Sequence, residues 1–240
     1  MRWFSRRAKD QQLDADAVEV DREEADVESD ETEEPEGRGP WDVEDVPDVG
    51  ERVDLGALRI PTRRGMQVRM ELERKSRRVV AVNLALDGSA LQLQAFAAPR
   101  SAGLWEELRE EIGETITKQG GSFEEQDGPF GPELLARLSV RTPDGRTGHR
   151  PARFIGVDGP RWFVRGVLTG QAVVDPEAAA AIEGVLADVV VVRGHEARAP
   201  RDLLSLHMPG KPGQEVPTTA ATRPTIDLGS PRGPEITEVR

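Results

Sequence analysis

Apolar and polar residues alternate over residues 79–86 and again over 90–97, with Val80, Val82, Leu84 and Leu86 on one face of the first run and Gln92 and Gln94 polar in the second. Asp87-Gly88 between them is a strong hairpin signal. Upstream, residues 55–60 and 66–73 are expected as two more strands, the second alternating Met66, Val68, Met70 and Leu72 with Gln67, Arg69, Glu71 and Glu73. This reads as four antiparallel strands in sequence. The period then changes to that of a helix: Trp105, Leu108, Ile112 and Ile116 recur at helical spacing, Ser101 stands ready to cap, and Gly120-Gly121 marks the end.

Three further strands are expected at 134–141, 152–157 and 161–168, separated by turns at Pro143-Asp144-Gly145 and Asp158-Gly159-Pro160. Asp175-Pro176-Glu177 opens a second helix with a capping side chain, proline at the first helical position and an acid in the first turn. A last strand at 188–193 is expected to return to the sheet. The pattern defines a single α+β domain of mostly antiparallel hairpins with two helices. Each half runs hairpin, Asp-Gly turn, helix, and Val164-Arg-Gly166 echoes Val192-Arg-Gly194, which points to an internal hairpin-helix duplication.

Composition divides the chain around that domain. Residues 1–9 carry four basic groups, whereas 10–48 hold eighteen Asp or Glu against Arg22 and Arg38, a net of −16. Subtracting these from the 44 acids and 32 bases of the whole chain leaves 26 of each, so the formal charge of −12 belongs to residues 1–48 and the rest is neutral. An acidic run with few large apolar groups cannot bury enough surface to offset its chain entropy. Residues 1–39 are therefore expected as a disordered tail, 40–208 as the domain, and the Pro/Gly/Thr-rich 209–240 as a second disordered tail. Trp41, in Gly39-Pro-Trp-Asp42 at the joint, is the candidate tail anchor, expected to dock beside Val43, Val46 and Val49.

Cysteine is absent, which removes disulfides, thiol catalysis and Cys-based metal sites. The basic start is followed by acids instead of an apolar stretch, and no run approaches the roughly 18 to 20 apolar residues of a spanning helix. A cytoplasmic protein is expected, with Trp3 and Phe4 beside Arg2, Arg6, Arg7 and Lys9 as a weak peripheral membrane patch at most.

Catalytic motifs find no support. Gly210-Lys211 continues with proline, no Gly-x-Gly-x-x-Gly or Gly-x-Ser-x-Gly occurs, and His149, His195 and His207 lie too far apart for a metal motif. No cofactor or metal is expected. His195-Glu196 beside Arg193 reads as an exposed loop rather than an acid/base pair, and Glu124, Glu125 and Asp127 as a solvated turn. The densest basic stretch, 59–78, sets Arg59, Arg63, Arg64, Arg69, Arg74, Lys75, Arg77 and Arg78 against Glu71 and Glu73, a net of +6. A second arginine group, with Arg146, Arg150, Arg153, Arg161 and Arg165, surrounds Trp162 and Phe163. Arginine interleaved with aromatics suits phosphate pairing and base stacking, so Arg59 to Arg78 with Arg153, Arg161 and Arg165 form the candidate surface for an anionic partner. The acidic tail has the reach to cover that surface and compete with such a partner.

Gly39-Pro-Trp-Asp42, Val53-Asp-Leu-Gly56, Gly128-Pro-Phe-Gly131, Gly156-Val-Asp-Gly-Pro-Arg-Trp162 and Val192-Arg-Gly194, in that order behind an acidic tail, resemble the actinobacterial family known as domain of unknown function 3710. The resemblance spans residues 41–208 and implies no activity and no catalytic residues. Two main expectations follow: a non-enzymatic interaction or scaffold protein with a protein partner, or a nucleic-acid-associated regulator using the arginine groups under an autoinhibitory acidic tail. An enzyme with a pocket of isolated polar residues is the least supported third, and nothing in the pattern fixes an oligomeric state.

Overall fold

The computed structural model describes residues 38–210, apart from 47, 49, 102, 143 and 144, and the strand at 236–238. The patch at Trp3 and Phe4 and most of the two expected tails lie outside the described residues. In chain order the elements are β1 (Trp41–Asp42), β2 (Arg52–Asp54), β3 (Leu58–Pro61), β4 (Gln67–Leu72), β5 (Val79–Leu86), β6 (Ser89–Ala97) and α1 (Trp105–Lys118). They continue with β7 (Ser122–Gly128), β8 (Gly131–Arg141), β9 (Thr147–Gly159), β10 (Trp162–Gly170), α2 (Pro176–Ala187), β11 (Val190–Val191) and β12 (Ile236–Glu238).

Two meanders, β4-β5-β6 and β7-β8-β9-β10, join along β6 and β10, which pair antiparallel from Trp162↔Ala97 to Gly170↔Ser89. With β12 on the outside of β4, the large sheet runs β12-β4-β5-β6-β10-β9-β8-β7. The β5–β6 hairpin forms as its Asp-Gly turn predicts, Asp87 and Gly88 both taking positive φ, 46° and 77°. A small sheet of order β1-β11-β3-β2 makes the second layer, in which β1 pairs parallel to β11 and the other pairs are antiparallel.

Alternation along the strands feeds two cores. Leu84, Leu91, Leu93, Trp162, Val164 and Leu168 face Ile182, Val185 and Leu186 of α2 and Leu58, Ile60 and Val191 of the small sheet. On the opposite side of the large sheet, Phe96, Leu134, Ala136, Phe154 and Phe163 pack under Trp105, Ile112 and Ile116 of α1. Helix α1 settles this closely because Gly113 has no side chain: a Cβ there would lie 2.6 Å from Phe123 Cζ. The two layers are tied by the segment after β11, where Leu206 bridges both Gly56 and Val79 and Leu203 bridges Phe96.

Several local expectations change. The run 55–60 is a hairpin, not one strand, because Leu55–Ala57 turns with Gly56 at φ 89° and Asp54 Oδ1 accepting from Gly56 N at 2.8 Å. The segment holding Glu124, Glu125 and Asp127 is a strand, β7, not a turn, since its backbone pairs with β8 over its whole length. Strand β11 joins the small sheet, not the large one. Ser101 does not cap α1: the helix starts at Trp105, and Asp158 on β9 accepts from the backbone N–H of Leu104 at 2.6 Å and of Trp105 at 3.1 Å. Strand order is symmetric about the β6–β10 pair, but α1 and α2 lie on opposite sides of the sheet, so no single two-fold relates the two hairpin-helix halves.

Candidate interaction surface

The motifs that carry the family resemblance act structurally. Gly156 lies beneath Trp105, where a Cβ would overlap the indole at Cδ2. Asp158 fills the N-terminus of α1, compensating the exposed amides and the positive end of the helix. Trp162 donates its indole N–H to the buried Asp42 at 2.6 Å, and Arg193 Nε donates to the Arg161 carbonyl at 3.0 Å. Gly39 allows β1 to approach α2, because a Cβ there would collide with the Ala187 carbonyl.

A buried ionic cluster pins α2 to the large sheet. Arg153 on β9 meets Glu133 on β8 through two parallel bonds, Nε to Oε1 and Nη2 to Oε2, both 2.9 Å, and its Nη2 also reaches Glu183 of α2 at 2.7 Å. All three are nearly sealed, at 8%, 1% and 8% exposure. Burial acts to lower the Arg153 pKa, but the bonds and charges of Glu133 and then Glu183 outweigh it, and the pKa is raised. Arg153 is thus committed to an internal pair and adds nothing to an exposed basic surface. A cavity of about 350 Å³ adjoins the cluster between the β7–β8 turn and the start of α2.

On the other side of the large sheet, beyond the part that α1 covers, β4, β5, β6 and β10 carry a continuous polar network. Glu71 Oε2 accepts from Gln92 at 2.6 Å and from Asn83 at 3.2 Å; Gln94 donates to the Val80 carbonyl at 3.1 Å and accepts from Arg165 Nη2. The Arg165 guanidinium carbon stands 5.9 Å from the centre of the Phe96 ring, at the boundary with the aromatic core under α1. Burial pulls the Arg165 pKa down to about 10, with the Glu71 charge opposing the shift. Its Nε is buried and has no hydrogen-bond acceptor among the described residues.

The remaining basic candidates are dispersed. Arg59 lies on β3 of the small sheet, Arg63 pairs with Asp188, and Arg64 is exposed in the following turn. Arg69 lies on β4, where its Nη2 donates to Gln67 Oε1 at 3.0 Å. Arg74, Lys75 and Arg77 are exposed at the β4–β5 turn, with Arg78 half-buried beside them. Arg161, at φ 61°, sits in the β9–β10 turn. Trp41 is half-buried, its backbone N–H donating to the Val189 carbonyl at 2.8 Å. Sequence reasoning misses Asp42, Glu133 and Glu183, whose partners are 120, 20 and 30 residues away along the chain. His195 and Glu196 are exposed, and no His or carboxylate cluster suited to a metal ion occurs among the described residues.

Two mostly antiparallel sheets flanked by two helices, held by internal ion pairs and one amide-rich sheet face, define an α+β domain. The chain belongs to the family described as Protein of unknown function (DUF3710), whose model matches residues 39–215. No curated protein matches the chain. No described helix is long and apolar enough to cross a membrane.

Proposed function

We propose that this chain is a non-enzymatic, cytoplasmic interaction protein that docks a partner protein on the polar side of β4, β5, β6 and β10. The observation that carries the reading is Arg165: a desolvated guanidinium with one buried N–H lacking an acceptor among the described residues, set among amide side chains that can both donate and accept. An unsatisfied buried donor costs free energy, and a carboxylate or carbonyl from a bound protein would relieve that cost. A photocrosslinking residue at Ala90, on this side of β6, is expected to trap a protein partner in cells, whereas one at the exposed Ala181 of α2 is not. Adding Arg165→Met should abolish the Ala90 product. Equal products at both positions, or an Ala90 product indifferent to Arg165→Met, would overturn the reading.

A second reading rests on the β4–β5 turn, where Arg74, Lys75 and Arg77 are exposed together. It makes the chain a nucleic-acid-associated regulator in which residues 10–39 compete for the basic turn as a tethered charge mimic; of these, 10–37 lie outside the described residues. Deleting the segment should tighten binding of a single-stranded oligonucleotide at low salt and steepen its salt dependence. Weak binding unchanged by the deletion sinks this alternative.

A further inference from the structure

We propose that the outer edge of β4 is an acceptor site for an extended strand of a partner protein, and that β12 of the same chain occupies it as a displaceable placeholder. The inference is independent of which protein docks on the polar side, because it concerns backbone pairing at the sheet edge.

The register shows a site larger than its occupant. Strand β4 offers six residues, Gln67–Leu72, and β12 pairs with three of them, Ile236↔Glu71, Thr237↔Met70 and Glu238↔Arg69. The other outer strands are more heavily defended than β4, whose edge carries only Arg69, Glu71 and an irregularity between Glu71 and Leu72. Strand β7 exposes Glu124, Glu125 and Asp127, while β1 and β2 are only two and three residues long. Charged and very short edges resist pairing with another chain; a six-residue edge without proline invites it. The family match ends at residue 215, so β4 lies inside the matched domain and β12 outside it.

Tethering explains how so short a strand can hold the site. Residues 211–235 link the domain to β12. In general, a flexible chain of about 25 residues has a root-mean-square span of roughly 28 Å, which corresponds to a local concentration on the order of millimolar. A free strand with the same three pairs loses to the tethered copy at cellular concentration. A strand that pairs along all six residues wins, because each added pair contributes ladder bonds and side-chain contacts. The chemistry of the incoming strand follows from residues directly opposite one another sharing a face. Opposite Val68 and Met70, which face the main core, it needs apolar or β-branched residues, and opposite Arg69 an acid. The backbone register of the tethered strand sets Thr237 opposite Met70 and Glu238 opposite Arg69.

The test uses the full chain and its Thr237→Pro/Glu238→Pro variant. Neighbouring amides in a strand point to opposite edges, so the pair of prolines removes the one directed at β4 whichever it is. The probe is a fluorescein-labelled peptide with the sequence of residues 233–240. The variant is expected to bind it at least about tenfold more tightly than the wild type in fluorescence anisotropy. Amides of residues 67–72 should exchange faster with deuterium in the variant and regain protection when peptide is added. A second variant, Glu238→Arg, places like charge opposite Arg69 and should also open the edge, while a peptide carrying the same change should not bind. Equal binding by wild type and double-proline variant, no binding by either, or unchanged exchange over 67–72 would overturn the proposal. So would a wild-type dimer by sedimentation that the prolines dissolve, which would assign β12 to a second copy.

Discussion

Asp42 and Trp162 are joined by a 2.6 Å hydrogen bond that carries the small sheet onto the large one. The indole is 2% exposed and the carboxylate 7%, so the N–H has no water to fall back on if its acceptor is lost. Asp42→Ala is expected to destabilise the domain by about 1–3 kcal/mol, the cost of an unsatisfied buried donor. Asp42→Asn, which keeps a carbonyl oxygen, should lose less. Denaturant titration followed by Trp fluorescence measures both, and equal midpoints for wild type and Asp42→Ala would show that the bond holds nothing.

The ionic cluster of Arg153 calls for a comparison of two replacements. Arg153→Ala leaves Glu133 and Glu183 buried without their cation, an effect of about 3–5 kcal/mol, enough to unfold a marginal domain. The triple replacement Glu133→Leu/Arg153→Met/Glu183→Leu removes the ions together and should recover most of that loss. If the triple variant is as unstable as Arg153→Ala, the cluster contributes more than mutual neutralisation, and the neighbouring cavity would need its charge for another purpose.

Strand parity explains what could and could not be read in advance. The hairpins 79–97 and 147–170 and both helices follow periods of two and 3.6, and their apolar positions do form the cores. Strand β7 escaped because Ser122 to Gly128 is mostly polar and exposed, so its pairing comes from the backbone and from Phe123 under α1. Arg153 and Arg165 look alike as members of one arginine group. Only the β9–β10 register separates them: Arg153 stands opposite Leu168, on the main-core side, whereas Arg165 stands opposite Gly156, on the side of Trp105. The acceptors Asp42, Glu133 and Glu183 carry no local signal, because a buried carboxylate is recognised by its partner and the partner is distant in sequence.

Two glycines in different surroundings test the packing of the helices. A Cβ on Gly156 would overlap the Trp105 ring, and the ring is held by a 2.5 Å bond from its Nε1 to the Pro132 carbonyl. Gly156→Ala should therefore cost about 1–3 kcal/mol as α1 shifts off the sheet, visible in the near-ultraviolet circular dichroism of Trp105. Gly184 lies in α2 with open space where a methyl group would project, nothing standing within 4 Å. Gly184→Ala should raise stability by about 0.5–1 kcal/mol through helix propensity. A loss at Gly184 would mean that α2 has a neighbour at that face beyond the described residues.

Arg165 sets stability against binding. Its pKa is lowered from the ordinary guanidinium value to about 10 because burial disfavours the charged form, with Glu71 only partly compensating. The folded-state value lies below the unfolded one, so the penalty for burying the charge is fully present below about pH 10 and fades as pH rises from there toward the unfolded value. Replacing Arg165 by methionine keeps the stem that lies by Phe96 and removes the charge. The variant should unfold at higher denaturant than wild type, by an increment that stays constant between about pH 6 and 9 because the arginine does not titrate there. The same variant should lose the crosslinked partner at Ala90. Greater stability together with retained partner capture would separate the strained arginine from binding and assign it to the fold alone.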